Sequence, residues 1–120
     1  MTHMTDFVNT AIAAAWAAAD VHRFHAADAD TQVTSKSNYA DLVTMVDRLS
    51  EERIRAVISA AYPDHTVLGE ELGETGSADA PARWIVDPLD GTLNYAHGFP
   101  FYCVSVALEL NGTVEVGVVL

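Results

Sequence analysis

Cysteine is almost missing from this chain. With Cys103 alone, no internal disulfide can form. Basic residues are scarce too. Six Lys and Arg stand against 17 Asp and Glu, for a formal net charge of −11. That balance excludes nucleic acid or an anionic membrane surface as a general partner. No apolar run approaches the roughly 20 residues that span a bilayer. The longest candidate, 11–19, is alanine-rich and bounded by Asp20. No basic segment precedes an apolar one at the N-terminus, so no secretion signal is read, and the cytoplasm is the expected location. There is no internal repeat and no low-complexity tract beyond the alanines.

What is present is a core. The hydrophobic residues make up 50% of 120 residues, which argues against disorder and for one domain. Residues 5–27 read as a helix capped by Thr5, with Val8, Ile12, Ala15 and Ala19 as its buried stripe. His22 and His25 near its end are three apart. They form either a weak metal pair or a favourable charge at a helix C-terminus, and the second reading is preferred. Residues 28–41 alternate Thr31, Val33 and Ser35 against Gln32, Thr34 and Lys36, which predicts an extended piece. A second helix is expected over 44–61, opened by the cap-like pair Thr44 and Asp47 and stopped by Pro63. Its apolar face is Val46, Leu49, Ile54, Val57, Ile58 and Ala61, with Glu51 and Arg55 paired on the exposed side.

Strands follow at 66–68 and 84–86, separated by a loop over 73–83. A short helical segment is read at 93–98. Then 101–110 and 113–120 form a hairpin across Asn111-Gly112. The expected class is α+β, with helices layered on a mostly antiparallel sheet. Residues 117–120 read as strand without a turn or polar ending, so the chain is expected to be the N-terminal portion of something longer. Cys103 lies in an apolar run and reads as a small buried hydrophobe, without a neighbour that would make it a nucleophile.

Two acidic clusters follow strands: Glu70-Glu71, and Asp87-Pro88-Leu89-Asp90-Gly91-Thr92. Carboxylates at strand ends can converge over a sheet edge. Three of them together require a cation or a proton, and hard cations such as Mg²⁺ prefer oxygen ligands. The Leu89 carbonyl is a further candidate ligand. Gly91 permits close backbone approach, and Thr92 can open a short helix whose free N–H groups suit a phosphate. Metals on one side and N–H donors on the other fit metal-assisted phosphoester hydrolysis, with Glu70 and the Thr92 hydroxyl orienting the attacking water. Each part alone has a plainer reading: an ordinary Asp-Gly turn, a solvated Glu70-Glu71 loop, a helix cap at Asp47. The combination D-P-x-D-G-T is rarer, arising by chance about once in 10⁴ to 10⁵ chains of this length.

The 87–92 segment, preceded by Trp84-Ile85-Val86, closely resembles the signature of the inositol monophosphatase family of Mg²⁺-dependent, lithium-sensitive phosphatases. Lys36 followed by 41–44 and Asp47 is similar to the family's approach to its second helix. Tyr62-Pro63, Leu68-Gly69-Glu70-Glu71 and 94–100 also match it. The resemblance covers about 7–120 and implies the N-terminal half of an αβαβα sugar-phosphatase fold.

It further implies a first metal held by Glu70, Asp87 and the Leu89 carbonyl, and a second by Asp87 and Asp90. Asp47 would lie near a third metal, and Lys36 would lie close to the same pocket. Glu70 and Thr92 would position the water, and the Gly91 and Thr92 N–H groups, beside Asp90, would hold the phosphate. Family members are about twice as long, and their second half supplies another metal-binding aspartate and the ring-binding groups. Inositol 1-phosphate or a related sugar monophosphate is the implied substrate, with fructose 1,6-bisphosphate as the alternative. A homodimer is the implied assembly. A truncated, non-catalytic member acting as a binding or assembly module is the alternative function.

Overall fold

Alanine decides how the first helix packs. Ala11, Ala14, Ala15 and Ala18 are all fully buried, and side chains this small let a helix lie close against a sheet. In the computed structural model, which describes residues 4–31, 36–77 and 79–120, α1 runs over Met4–Thr31 and α2 over Lys36–Ala61. The strands are β1 (Thr66–Gly69), β2 (Gly73–Thr75), β3 (Ala82–Asp90), β4 (Cys103–Leu110) and β5 (Thr113–Val119), with a short α3 (Thr92–Ala96) between β3 and β4. They form one sheet in the order β2-β1-β3-β4-β5. Only β1 and β3 are parallel; the other three pairings are antiparallel. The α+β class and the mostly antiparallel sheet are as the pattern predicts.

Both long helices lie on one face of the sheet. Alternate residues Trp84 and Val86 of β3, Val104, Val106 and Leu108 of β4, and Val116 of β5 point into that layer and meet the α1 alanines and Ile54 and Ile58 of α2. A second, smaller core holds Val21, Val46, Leu89 and Tyr95. It therefore joins both helices to the end of β3 and to α3. The hairpin behaves as its turn residues require. Asn111 (φ 51°) and Gly112 (φ 84°) are both left-handed, the geometry that matches strand twist in a two-residue connection.

Several expectations are corrected. Residues 28–31 and 36–41 are helical, not extended, while 32–35 lie outside the described residues. Thr5 and Thr44 consequently fall inside helices and cap neither one. The expected stripe of α1 holds in part: Ala15 is fully buried and Val8 packs against the core, but Ile12 is 41% exposed, and Ala11, Ala14 and Ala18 share the contact instead. Ala61 is exposed at the end of α2. The 73–83 loop contains the short edge strand β2 and the start of β3. Finally, β3 does not stop at Asp87. It runs through Pro88 to Asp90, with the register shifting between those aspartates. Among the described residues no helix is long and apolar enough to cross a membrane.

At the end of the sheet where β1 begins, the Trp84 indole N–H donates to His65 Nδ1 at 2.9 Å, and the His65 ring stacks on Tyr62. Burial pushes the His65 pKa below its usual range, partly offset by Asp64. A histidine whose folded pKa is lowered contributes stability above its unfolded pKa, about 6.5, and loses it as pH falls from there through the lower folded value. Other groups titrate nearby, so the comparison is with a variant. The destabilisation caused by His65→Phe is expected to be larger at pH 7.5 than at pH 5.5, by urea unfolding followed through Trp84 fluorescence. A pH-independent difference would show that the bond to Trp84 carries none of it.

Candidate functional site

The spacing of three between Asp87 and Asp90 sets a geometric problem. In an uninterrupted strand, residues three apart lie on opposite faces. Here Asp87 pairs with Ser105 and Asp90 with Cys103, so three steps along β3 answer two along β4. The extra residue is a β-bulge, and it inverts the alternation. Asp90 returns to the side of Asp87, where the two charges are close enough for Asp90 to push the Asp87 pKa up. Pro88 has no N–H to give a ladder, and a bulge is where a central strand can hold it. Gly91 then takes a left-handed conformation (φ 93°), and a Cβ there would stand 3.0 Å from the Phe101 carbonyl oxygen. Both facts reserve the position for glycine. The Gly91 carbonyl accepts the Tyr95 N–H, which opens α3 at Thr92.

Glu70 arrives from the neighbouring strand. It stands directly after β1, whose Gly69 lies beside Val86 in the parallel register. Asp47 comes from below, on the sheet-facing side of α2, and is 8% exposed. The three elements bring their carboxylates into one electrostatic field. Asp87, burial, Glu71, Asp90 and Glu51 all raise the Glu70 pKa. Burial is the main cause that raises Asp47, followed by Glu71, Asp87, Glu70 and Glu51, and together they push it to about 7. Burial also raises Asp87, with the Leu89 N–H opposing it.

Asp87 Oδ1 is buried and has no hydrogen-bond partner. Such an oxygen, in a field of carboxylates, is the feature a hard cation would satisfy. The side chains form an open group: among the described residues no three His, Cys, Asp or Glu are gathered tightly enough to enclose a cation in this conformation. A cleft of about 380 Å³ runs past Leu68, Glu70, Ile85, Asp87 and Ser105. A second, of about 350 Å³, is bounded by Asp90, Gly91, Asn94 and Phe101. A third cleft, about 470 Å³ between α1 and α2, is lined by none of Asp47, Glu70, Asp87 or Asp90.

The other expected residues divide. Thr92 opens α3 and is half-buried, but among the described residues no hydrogen bond joins its hydroxyl to Glu70. Lys36 is the first residue of α2, and its side chain lies outside the described residues. His22 and His25 do not form a metal pair. His22 bonds to the Pro88 carbonyl, and His25 meets the Phe24 ring. Cys103 is half-buried rather than fully buried, with Sγ 3.9 Å from an Asp90 oxygen. Burial and the charges of Asp90 and Asp87 push its thiol up, away from nucleophilic character.

Two residues that sequence reasoning left on the surface brace the site. Glu51 is fully buried. Its carboxylate accepts the N–H groups of Glu71 (3.0 Å) and Leu72 (2.7 Å) and faces Arg55 Nε at 3.3 Å. Arg55 in turn donates to Thr75 Oγ1 at 2.7 Å, to the Val67 carbonyl and to the Gly73 carbonyl. The pair therefore ties α2 to both strands flanking the 70–72 turn. Gly69 makes room for it, since a Cβ there would collide with the Glu51 carboxylate. A signal was available: 47, 51, 54 and 58 fall at helical spacing on one face, and Ile54 and Ile58 already marked that face as buried.

A sequence profile of the inositol monophosphatase family matches residues 3–120. Among curated relatives, the chain is 44% identical to the Nus factor SuhB of Pasteurella multocida over 97% of its own length and 43% of that protein's. It is 40% identical to the fructose-1,6-bisphosphatase/inositol-1-monophosphatase of Aquifex aeolicus, over 99% of this chain and 45% of that one. The solved inositol monophosphatase from Anabaena (Nostoc) superposes with a TM-score of 0.81 at 36% identity, over 98% of this chain and 40% of that one. The chain thus spans less than half the length of the curated relatives it matches.

Two outcomes follow from this geometry. Asp47 is protonated more readily folded, at about 7, than unfolded, near 3.8. The metal-free protein therefore loses stability from this group as pH rises between those values. Asp47→Asn is expected to stabilise it at pH 8 by a few kcal/mol and to make little difference at pH 4, by urea unfolding in EDTA. No gain at pH 8 would mean that the charge at Asp47 is not confined as described. Glu51→Ala leaves the half-buried Arg55 guanidinium without its counter-ion and the Glu71 and Leu72 N–H groups without their acceptor. It should cost roughly 3–5 kcal/mol, and a loss under about 1 kcal/mol would show that the brace is dispensable.

Proposed function

The chain belongs to the inositol monophosphatase family, and from that membership we propose that its protein is a Mg²⁺-dependent phosphomonoesterase acting on inositol 1-phosphate or a related sugar monophosphate. The observation that carries this reading is the unpartnered, buried Asp87 Oδ1 among the carboxylates of Asp47, Glu70 and Asp90. The donor set is all oxygen, which suits a hard divalent cation. Glu70, Asp87 and the Leu89 carbonyl would hold one ion, Asp87 and Asp90 a second, with Asp47 beside a third. When bound, such ions supply the positive charge that offsets a phosphate and acidifies water.

The chain's own residues do the rest. Glu70 stands exposed at the end of β1 and takes a proton from the attacking water. The Thr92 hydroxyl orients that water. The N–H groups of Gly91 and Thr92, which begin α3 without a side-chain cap, are available to phosphate oxygens. Asp90, next to them, would be a ligand of the second ion. Lys36 adds positive charge near the pocket on this reading. The protein acts in a reducing compartment, the cytoplasm, as a homodimer, a state that sedimentation of the natural-length protein would check.

The names of relatives support a second reading. Proteins named Nus factor SuhB are 44% and 40% identical to this chain, so a binding or assembly role apart from hydrolysis is the alternative. Fructose 1,6-bisphosphate is the alternative substrate, from the dual name of the Aquifex relative.

The test is phosphate release by the protein at its natural length. Inositol 1-phosphate should be hydrolysed with Mg²⁺ and not with EDTA, and Asp90→Asn should lower kcat by a factor on the order of 100 or more. An unchanged rate in Asp90→Asn would remove the cation role assigned to that residue. Absence of hydrolysis of either substrate, with intact binding of a protein partner, would favour the assembly reading.

A further inference from the structure

One buried side chain has no part in the chemistry proposed above. His22, late on α1, is 2% exposed, and its Nε2 lies 2.7 Å from the carbonyl oxygen of Pro88, 66 residues along the chain. A carbonyl only accepts, so Nε2 carries the proton and donates. The backbone carbonyl of the same residue accepts the Tyr95 hydroxyl from α3 at 2.9 Å. The ring is enclosed by Tyr95 and by the edge of Tyr102, at centroid distances of 5.9 and 5.7 Å. A single residue of α1 thus grips the segments on both sides of Asp90-Gly91-Thr92.

What it grips is specific. The Pro88 carbonyl and the Leu89 N–H belong to one peptide unit, which is planar and trans here. In a trans peptide these two groups point in opposite directions. While His22 holds the carbonyl end in the small core, the N–H end faces the Asp87 carboxylate and favours its charged form. The orientation of that plane also fixes where the chain leaves for the Leu89 carbonyl and Asp90. Without a donor, the Pro88 carbonyl would be buried and unsatisfied. The peptide would then gain by rotating away.

We infer that His22 is a positioning residue, whose Nε2–H fixes the Pro88–Leu89 peptide plane and through it the Asp87 carboxylate and the bulge that carries Asp90. The inference rests on the cation-site reading for its functional consequence, and on the hydrogen bond and the cage for its geometry.

The experiment uses the protein at its natural length and two variants. His22→Leu removes the donor, and His22→Gln keeps an N–H at a similar reach. Two quantities are read: hydrogen exchange of the amides of Leu89, Asp90 and Gly91 without metal, and Mg²⁺ affinity by calorimetry. His22→Leu is expected to speed that exchange and to weaken Mg²⁺ binding by about 10–100-fold, with both largely restored in His22→Gln. His65→Phe, placed in the other core, serves as the control for general destabilisation and should move neither.

Unchanged exchange and affinity in His22→Leu would overturn the inference, as would His22→Gln behaving like His22→Leu or the control moving both readouts equally. Should the parent protein bind no Mg²⁺, the cation-site reading fails by itself. Exchange then decides: faster in His22→Leu and restored in His22→Gln supports the clamp, and no change overturns it. If His22→Leu does not fold, His22→Asn, whose shorter amide falls short of Pro88, takes its place under the same criteria.

Discussion

Negative charge gathered at one end of a sheet has to be held there against its own repulsion. Glu71, Asp87 and Glu70 push the Asp47 pKa up, Asp87, Glu71 and Asp90 push up Glu70, and Asp90 pushes up Asp87. Like-charged carboxylates at this range cannot all ionise without a cation or a proton. Left to themselves they would splay apart. The fold prevents this by fixing backbone rather than by pairing each carboxylate. Glu51 and Arg55 pin the 70–72 turn through its N–H groups and through the strands on either side. The smaller core and His22 pin the bulge of β3. The charged side chains are carried on braced backbone and remain available to a ligand.

The two buried acids of α2 show the difference between bracing and binding. Glu51 and Asp47 are one helical turn apart on the same face. Glu51 receives two backbone N–H groups and a guanidinium. That is the provision a buried carboxylate needs to serve as structure. Asp47 has no such donor among the described residues, and it titrates near 7. A charge buried without partners is a poor stabiliser, which is why perturbed groups concentrate where a site operates. One helix thus supplies an acid that holds the fold and an acid that the fold holds at a cost.

How much of this was legible in the sequence depended on how local the signal was. The Asn111-Gly112 turn and the strands on either side of it are short-range patterns, and each lies in the structure where it was expected. The D-P-x-D-G-T segment was legible as a motif, but its aspartates lie inside β3 rather than in a turn after it. The long helices were misplaced at their ends, because the local pattern over 28–41 is a weak guide to where a helix stops. The face of α1 was misread in part, because the large residue Ile12 outweighed small ones beside Ala15. In the molecule the alanines win, since only they allow the sheet so near. The helical spacing could have marked Glu51 as buried, but what Glu51 and His22 hold was unreadable for a related reason. A charged or polar residue on an otherwise apolar stripe looks like its margin until its distant partner is known. Those partners, the N–H groups of Glu71 and Leu72 and the carbonyl of Pro88, lie 20, 21 and 66 residues away.

The bulge connects these observations in one order of cause. Two aspartates three apart reach the same face only if β3 takes in an extra residue. An extra residue breaks the ladder and frees backbone groups that then need other partners. Pro88 removes one of them, the N–H, from the account altogether. The Pro88 carbonyl remains, in a buried place, and His22 is what meets it. The chain must then leave the strand within one residue to begin α3 against Phe101 and Tyr102, which only a left-handed glycine permits. Asp, Pro, Asp and Gly therefore stand in that order because each answers a constraint set by the one before. The histidine that completes the series sits four elements earlier in the chain, on a helix whose own sequence gives no hint of the bulge.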